Sequence, residues 1–280
     1  MTHAFRIVNV FTVDGNRFSG NPLCVFEDAR GLEDEQMQAL ARQMNLSETT
    51  FVLPSERADA RVRIFTPGFE MPFAGHPTLG TASVIAAAGQ DEVKLEMIAG
   101  IVQVEREDDG WSLKRPQRPK TRKVEATRIE IAQMLGLPDD ALSDEPLWVS
   151  TGVEQLVIPI KSSELVRAAK PVKKLLERWA FSDDRKEAMA YLWSNDSSEW
   201  TVRFFFTSHG AVIEDAATGS ACANLGGWWI ARGRQRPLEV MLRQGEAVGR
   251  PSRLGLQIGD DDAIYVTGAV IELGRGTVEV

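Results

Sequence analysis

Two stretches of the chain share one build: FAGHPTLGTA at Phe73–Ala82 and EDAATGSACA at Glu214–Ala223. In each, a turn containing Gly, Ala or Asp gives way to a run of small residues. From Pro77 to Ala88 the first run, PTLGTASVIAAA, carries no charge on any side, which predicts a helix buried all round. His76, one of three histidines in 280 residues, stands at its mouth, ahead of Pro77, whose fixed φ suits a first helical turn. The second run continues as a small-residue helix to about Ala231.

Working outward, the flanks repeat as well. Phe65-Thr66 precedes a helix mouth at Gly75, and Phe206-Thr207 precedes one read at Ala216, in both cases nine residues beyond the threonine. Both helices then run into strands about a glycine, Gly100 and Gly245. This is one supersecondary plan used twice. It predicts an α+β fold of two similar halves related by a pseudo-twofold, with two helix N-termini facing a shared cleft.

Ahead of the first motif, RIVNVF (Arg6–Phe11) and LCVFED (Leu23–Asp28) read as strands around a turn rich in Gly, Asn and Asp. Between Glu33 and Asn45 the apolar Met37, Leu40, Ala41 and Met44 fall at helical spacing, and Thr49–Pro54 is the next strand. Glu48 therefore sits at a helix-to-strand junction. Further strands are expected at Ala60–Pro67, in Val93–Glu107, Pro146–Ile160, Trp200–Thr207 and Leu238–Ile258, with a short helix at Val172–Ala180. The division read from this order is an N-terminal half over residues 1–117, a basic linker over 118–128, a C-terminal half over 129–262, and closing strands over 263–280 that return to the first half.

Composition narrows the function. A net charge of −8 argues against a nucleic-acid binder, which needs a basic face. The basic run KRPQRPKTRK (Lys114–Lys123) reads as a solvated linker in preference to a phosphate patch. No apolar run approaches the ~18 residues of a membrane helix, and the N-terminus lacks the basic and apolar regions of a secretory signal. Cys24 and Cys222, far apart in sequence, make neither a disulfide framework nor a metal spacing, which suits a reducing cytoplasm. His3, His76 and His209 have no clustered acids, so no metal site is expected.

The candidate chemistry gathers at the two mouths. A helix N-terminus offers unpaired N–H groups and a positive dipole end, and two of them make a pocket for a carboxylate or a developing enolate. Gly75 and Gly219 suit close backbone approach, or simply a tight turn. His76 reads as a structural histidine or as a group that exchanges a proton near neutral pH. Asp215 reads as an N-cap, or as a charge that orients His76 or a substrate amine. Ser220 bonds a ligand carboxylate or solvates the helix end. Glu48 is either an exposed loop residue or an acid against apolar walls, where burial favours the protonated form and a proton can be taken from carbon and returned elsewhere. A Ser220–His76–Asp215 triad lacks the G-x-S-x-G elbow.

In this order, GNPLCVF, MNLSETTFVLP, RIFTPGFEMPFAGHPTLGTA, EDAATGSA, QGEAVGRPS and GRGTVEV resemble the phenazine-biosynthesis isomerases, the PhzF-like proteins. The resemblance runs from near residue 20 to Val280 and is thin between about Lys120 and Glu199. It implies a diaminopimelate-epimerase-like fold, each half a barrel-like sheet around a central helix, with the active site between the halves. It also implies a homodimer that needs no metal or organic cofactor and acts on a small carboxylate such as trans-2,3-dihydro-3-hydroxyanthranilate. Glu48 would shuttle the proton, with His76, Asp215 and Ser220 completing the site and the amides near Gly75, Gly219 and Ser220 holding the carboxylate. Related racemases place two cysteines at the helix mouths, whereas Cys24 and Cys222 lie at neither, so thiol racemisation is disfavoured. Two departures stand out: TSHGAVIED, with His209, and the bulky ACANLGGWW, where Trp228 and Trp229 read as core in preference to a dimer face. A different isomerase or lyase, or a binding protein on the same scaffold, are the competing readings.

Overall fold

Strand β1 (Thr2–Val10) of the computed structural model, which describes residues 1–108, 110–114, 118–183, 185–208 and 210–280, opens a run of paired strands that the chain then builds a second time. After β1 come β2 (Asn21–Phe26), α1 (Asp34–Met44), β3 (Glu48–Leu53), β4 (Ala60–Phe65), β5 (Glu70–Met71), α2 (Gly75–Ile85), β6 (Glu92–Met97), β7 (Gly100–Glu107) and β8 (Gly110–Lys114). Next follow β9 (Lys120–Lys123), α3 (Arg128–Met134), β10 (Leu147–Ser150), β11 (Glu154–Pro159), α4 (Ser163–Ala168), α5 (Lys173–Trp179), β12 (Phe181–Ser182) and β13 (Glu187–Ser194). The rest are β14 (Trp200–Ser208), β15 (Ala211–Asp215), α6 (Gly219–Ala231), β16 (Leu238–Gln244), β17 (Ser252–Ile258), β18 (Ile264–Gly268) and β19 (Val270–Glu279). The chain divides into two units, Met1–Lys114 with Thr267–Val280, and Arg115–Val266.

The two units have one pairing scheme. In the first, β1/β2 is antiparallel, β2/β3 parallel, β3/β4 and β4/β5 antiparallel, β4/β6 parallel and β6/β7 antiparallel. In the second, β10/β11, β11/β13, β13/β14, β14/β15, β14/β16 and β16/β17 repeat that series sense for sense. A further antiparallel strand flanks each: β19 on β1, and β9 on β10. Residues 120–123, expected as linker, are therefore a strand. Their side chains are all exposed, so no apolar alternation marks it.

A salt-bridge clamp fixes which residues correspond. Arg63, opposite Phe51, binds Glu70 through two bonds of 2.7 and 2.6 Å and lies 5.1 Å over the Phe65 ring. Arg203, opposite Leu192, binds Glu214 at 3.0 and 2.6 Å and lies 4.6 Å over Phe205. Glu70 pairs with Phe65 and Glu214 with Phe205. Phe65 thus corresponds to Phe205, one residue before the Phe206 read from sequence. From Met71 the chain takes four steps to the first residue of α2, Gly75, and from Asp215 four steps to that of α6, Gly219. The second mouth is at Gly219, not Ala216, because β15 keeps its ladder with β14 as far as Asp215.

Each unit wraps strands around one apolar helix. Helix α2 packs against β1, β2, β3, β6, β7, β8 and β19, and α6 against β9, β10, β11 and β17. The approach is close: a Cβ on Gly80 of α2 would lie 2.6 Å from a Leu23 methyl and 3.0 Å from Val10. Outside the first barrel, α1 covers Cys24, Phe26, Phe51 and Phe65 with Met37 and Ala41. Outside the second, the short helices cover Leu156, Ile158, Leu192 and Phe205 with Ile131 and Leu176. Trp228 is wholly buried, its ring 4.9 Å from that of Trp193, and Trp229 lies 5.1 Å from Trp200, so both indoles pack within their unit. Among the described residues no helix is long and apolar enough to cross a membrane.

Candidate active site

Glu48 gets its position from the end of α1 and from the two-residue period of β3. Asn45 adopts the left-handed conformation (φ 53°, ψ 33°) that stops the helix. Leu46 then tucks into the cluster under α1, and Ser47 Oγ donates to Asn21 Oδ1 at 3.4 Å. Along β3, Phe51 and Leu53 join that outer cluster, so Glu48, Thr50 and Val52 face α2. Thr50 Oγ1 lies 2.8 Å from Thr81 Oγ1 on that helix. Stepping back from this pair, Glu48 is about 7 Å along the strand and His76 about 7.5 Å along the helix. The rises agree, and the two side chains meet: His76 Nε2 is 3.5 Å from Glu48 Oε2, with 7% and 16% of the side chains exposed. Glu48 is not an exposed loop residue.

The threonine pair itself is wholly buried. Thr81→Val leaves the Thr50 hydroxyl without its partner and should cost about 1–3 kcal/mol, while the double change Thr50→Val with Thr81→Val should cost less than Thr81→Val alone. Urea midpoints of the three proteins check this.

In the second unit, Asp215 ends β15 and accepts a 2.6 Å hydrogen bond at Oδ2 from Thr218 Oγ1. Thr218, not Asp215, occupies the N-cap of α6. Gln244, not foreseen from the sequence, braces this turn. Its Nε2 donates to the Asp215 carbonyl at 3.0 Å and to Thr218 Oγ1 at 2.9 Å. Gly245 follows in the left-handed region (φ 78°), and a Cβ there would overlap the carbonyl oxygens of Ala216 and Arg250. Ser220, in the first turn of α6, accepts a 3.0 Å bond from Gln155 Nε2, a second unforeseen contributor. Its signal is a buried amide, next to Glu154, at the head of the otherwise apolar run QLVIP.

By the clamp register, Glu48 corresponds to Met189, Met71 to Asp215, Gly75 to Gly219, and His76 to Ser220. Each unit thus holds one acid at its helix mouth, and a methionine stands where the other unit has its acid. Gly75 and Gly219 are the first residues of their helices. Glu48 and His76 come together in the first unit; Asp215, Gly219 and Ser220 lie along one mouth in the second. Within its unit His76 faces Glu48, and within its unit Ser220 is bonded to Gln155. His3 is buried with Nδ1 3.0 Å from the Asp28 carbonyl oxygen, and His209 lies outside the described residues.

Both thiols are fully buried, and burial pushes Cys24 up to about 12 and Cys222 further still. Neither is a thiolate at neutral pH, when the nucleophilic form is the thiolate. The native protein should leave iodoacetamide unconsumed at pH 7.5 and take up two equivalents once unfolded in urea, as read by intact mass. Among the described residues no group of three or more His, Cys, Asp or Glu is placed to hold a metal ion.

This geometry has relatives. The profile of a family described as "Phenazine biosynthesis-like protein" matches residues 8–275. An uncharacterized isomerase of Pasteurella multocida is 38% identical, over 99% of this chain and 94% of its own length. A trans-2,3-dihydro-3-hydroxyanthranilate isomerase of Pseudomonas aeruginosa is 36% identical, over 90% and 89%. Among solved structures, a PhzF-family protein of Bacillus anthracis has a TM-score of 0.86 at 24% identity, covering both chains fully. A hydroxyproline epimerase of Agrobacterium vitis has 0.65 at 14%, covering 99% and 92%, and shares the fold.

Proposed function

We propose that this chain, which belongs to the phenazine biosynthesis-like family and is an isomerase, moves a proton between two carbons of a small cyclic amino acid with Glu48 as its one acid–base group. The observation that carries the reading is the exchange of acid for methionine between the units. A racemase that works from two sides uses matched bases; here the counterpart of Glu48 is Met189, whose thioether takes up no proton, and the acid of the second mouth, Asp215, stands at a different position, where it accepts from Thr218 Oγ1 at 2.6 Å. A single base serves a shift along one face of a ring. Glu48 takes a proton from one ring carbon, the electron pair of that C–H bond moves into the adjacent double bond system, and the same proton returns to a carbon further along. No oxidant, reductant or cofactor enters the balance.

His76, 3.5 Å from Glu48, orients the carboxyl and, with Asp215, positions ring substituents. The amides near Gly75 and Gly219, with the Ser220 hydroxyl, hold the substrate carboxylate. The Pseudomonas aeruginosa relative's name supplies the substrate we favour, trans-2,3-dihydro-3-hydroxyanthranilate. The working form is proposed as a cytoplasmic homodimer. Proton NMR of that compound with the protein in deuterated water tests the assignment. Isomerisation of the compound supports it. An unchanged spectrum sets this substrate aside, and a panel of small amino and hydroxy acids under the same conditions then separates another isomerase from a protein that only binds.

A further inference from the structure

Two backbone groups set a direction for the hydrogen bonds behind Ser220. An amide N–H only donates and a carbonyl only accepts. Asn224, wholly buried on α6, meets one of each: its Oδ1 accepts from Thr151 N at 2.8 Å, and its Nδ2 donates to Val153 O at 2.8 Å. The orientation of that amide is therefore fixed, and its Nδ2 also donates to Gln155 Oε1 at 2.8 Å. Gln155, 2% exposed, then presents its own NH2 to Ser220 Oγ at 3.0 Å. Ser220 is thereby the acceptor toward the protein, and its own proton remains for another acceptor.

The fold does not require this relay. In the register that equates Thr50 with Tyr191, Gln155 corresponds to Leu23, and, counting from the helix mouths, Asn224 corresponds to Gly80. In the first unit a Leu23 methyl closes over Gly80. An apolar contact fills the place that two buried amides fill in the second. Buried amides cost stability unless every bond is made, so their presence on one side alone calls for a purpose outside packing.

We infer that Gln155 is a positioning residue that commits Ser220 to donate, and so makes the α6 mouth select an anionic oxygen over an N–H group on the ligand. The inference rests on the reading that Ser220 holds the substrate carboxylate.

Calorimetric titration with anthranilate and with anthranilamide, which differ only in carboxylate against carboxamide, tests it on the wild type and on Ser220→Ala, Gln155→Glu, Gln155→Leu and the double change Gln155→Glu with Ser220→Ala. Glu at 155 keeps the shape and still accepts from Asn224, yet it only accepts, so Ser220 must turn its proton inward. Gln155→Glu should weaken anthranilate about tenfold or more and spare anthranilamide. Gln155→Leu, which leaves Ser220 its proton, should weaken anthranilate less. In the Ser220→Ala background Gln155→Glu should add little. If Gln155→Leu is the more damaging, the role is packing and the inference fails. It fails too if the Gln155→Glu loss persists undiminished without Ser220, since charge repulsion then explains it. A different pattern, anthranilate bound equally by wild type and Ser220→Ala or bound by neither, overturns the reading of Ser220 itself. Thermal unfolding of each variant verifies that the proteins compared are folded.

Discussion

Glu48→Gln should lower turnover by about 10²–10⁴-fold, the usual worth of a positioned acid–base group, while leaving ligand affinity near that of the wild type. The substitution preserves volume. A glutamine amide in the same place still reaches His76, now 3.5 Å from the carboxylate, so the mouth of α2 keeps its shape. Only the capacity to take up and release a proton is lost. Turnover is read by the disappearance of substrate in deuterated water, affinity by titration with anthranilate. Retention of full turnover would remove Glu48 from the chemistry and move the search for the base to Asp215, the acid of the second mouth. Glu48→Asp, one methylene shorter and still able to exchange a proton, should fall between the two.

The largest structural effect is expected at Gly245. Alanine there meets a left-handed φ of 78° and two carbonyl oxygens, those of Ala216 and Arg250. The backbone conformation costs about 1–2 kcal/mol and the overlap about 1–3 kcal/mol more. Gly249, at the other end of the same turn, has φ 70° and open space around it, so Gly249→Ala should carry the first cost alone. The comparison isolates the contact. Denaturant midpoints should fall clearly further for Gly245→Ala, and activity should fall with them, because the carbonyl pushed aside belongs to the turn between Asp215 and Thr218. Equal midpoints for the two variants would mean that the turn relaxes freely and does not brace the site.

How much of this was legible in the sequence depends on whether hydropathy could speak. The charge-free run after His76 announced a buried helix, and the end of the amphipathic period at Met44 placed Glu48 at a junction. What ETTFVL did not reveal is which face Glu48 takes, because Thr49 and Thr50 are both buried, one on each side. RFFFT presents three phenylalanines in a row, so no apolar alternation selects among them, and the register fell one residue out. The Arg203–Glu214 clamp, a contact between strands, settles it. The mouth of α6 was read three residues early because Asp215-Ala216-Ala217 resembles the start of a helix, while a ladder with β14 claims Asp215 for β15. The relay from Asn224 through Gln155 joins residues 69 apart, beyond any local pattern.

The pairing of β1 with β19 bears on how the chain is made. Residues 115–266 form a contiguous unit, whose partners in folding all lie within one continuous stretch of chain. The unit that carries Glu48 and His76 is split: Thr2–Val10 emerges before residues 115–266, yet one of its two partner strands, Val270–Glu279, emerges after them. An open edge on β1 is therefore exposed through most of translation, and such an edge invites pairing with other chains. The half that bears the proposed base is completed only once Val270–Glu279 has paired with β1.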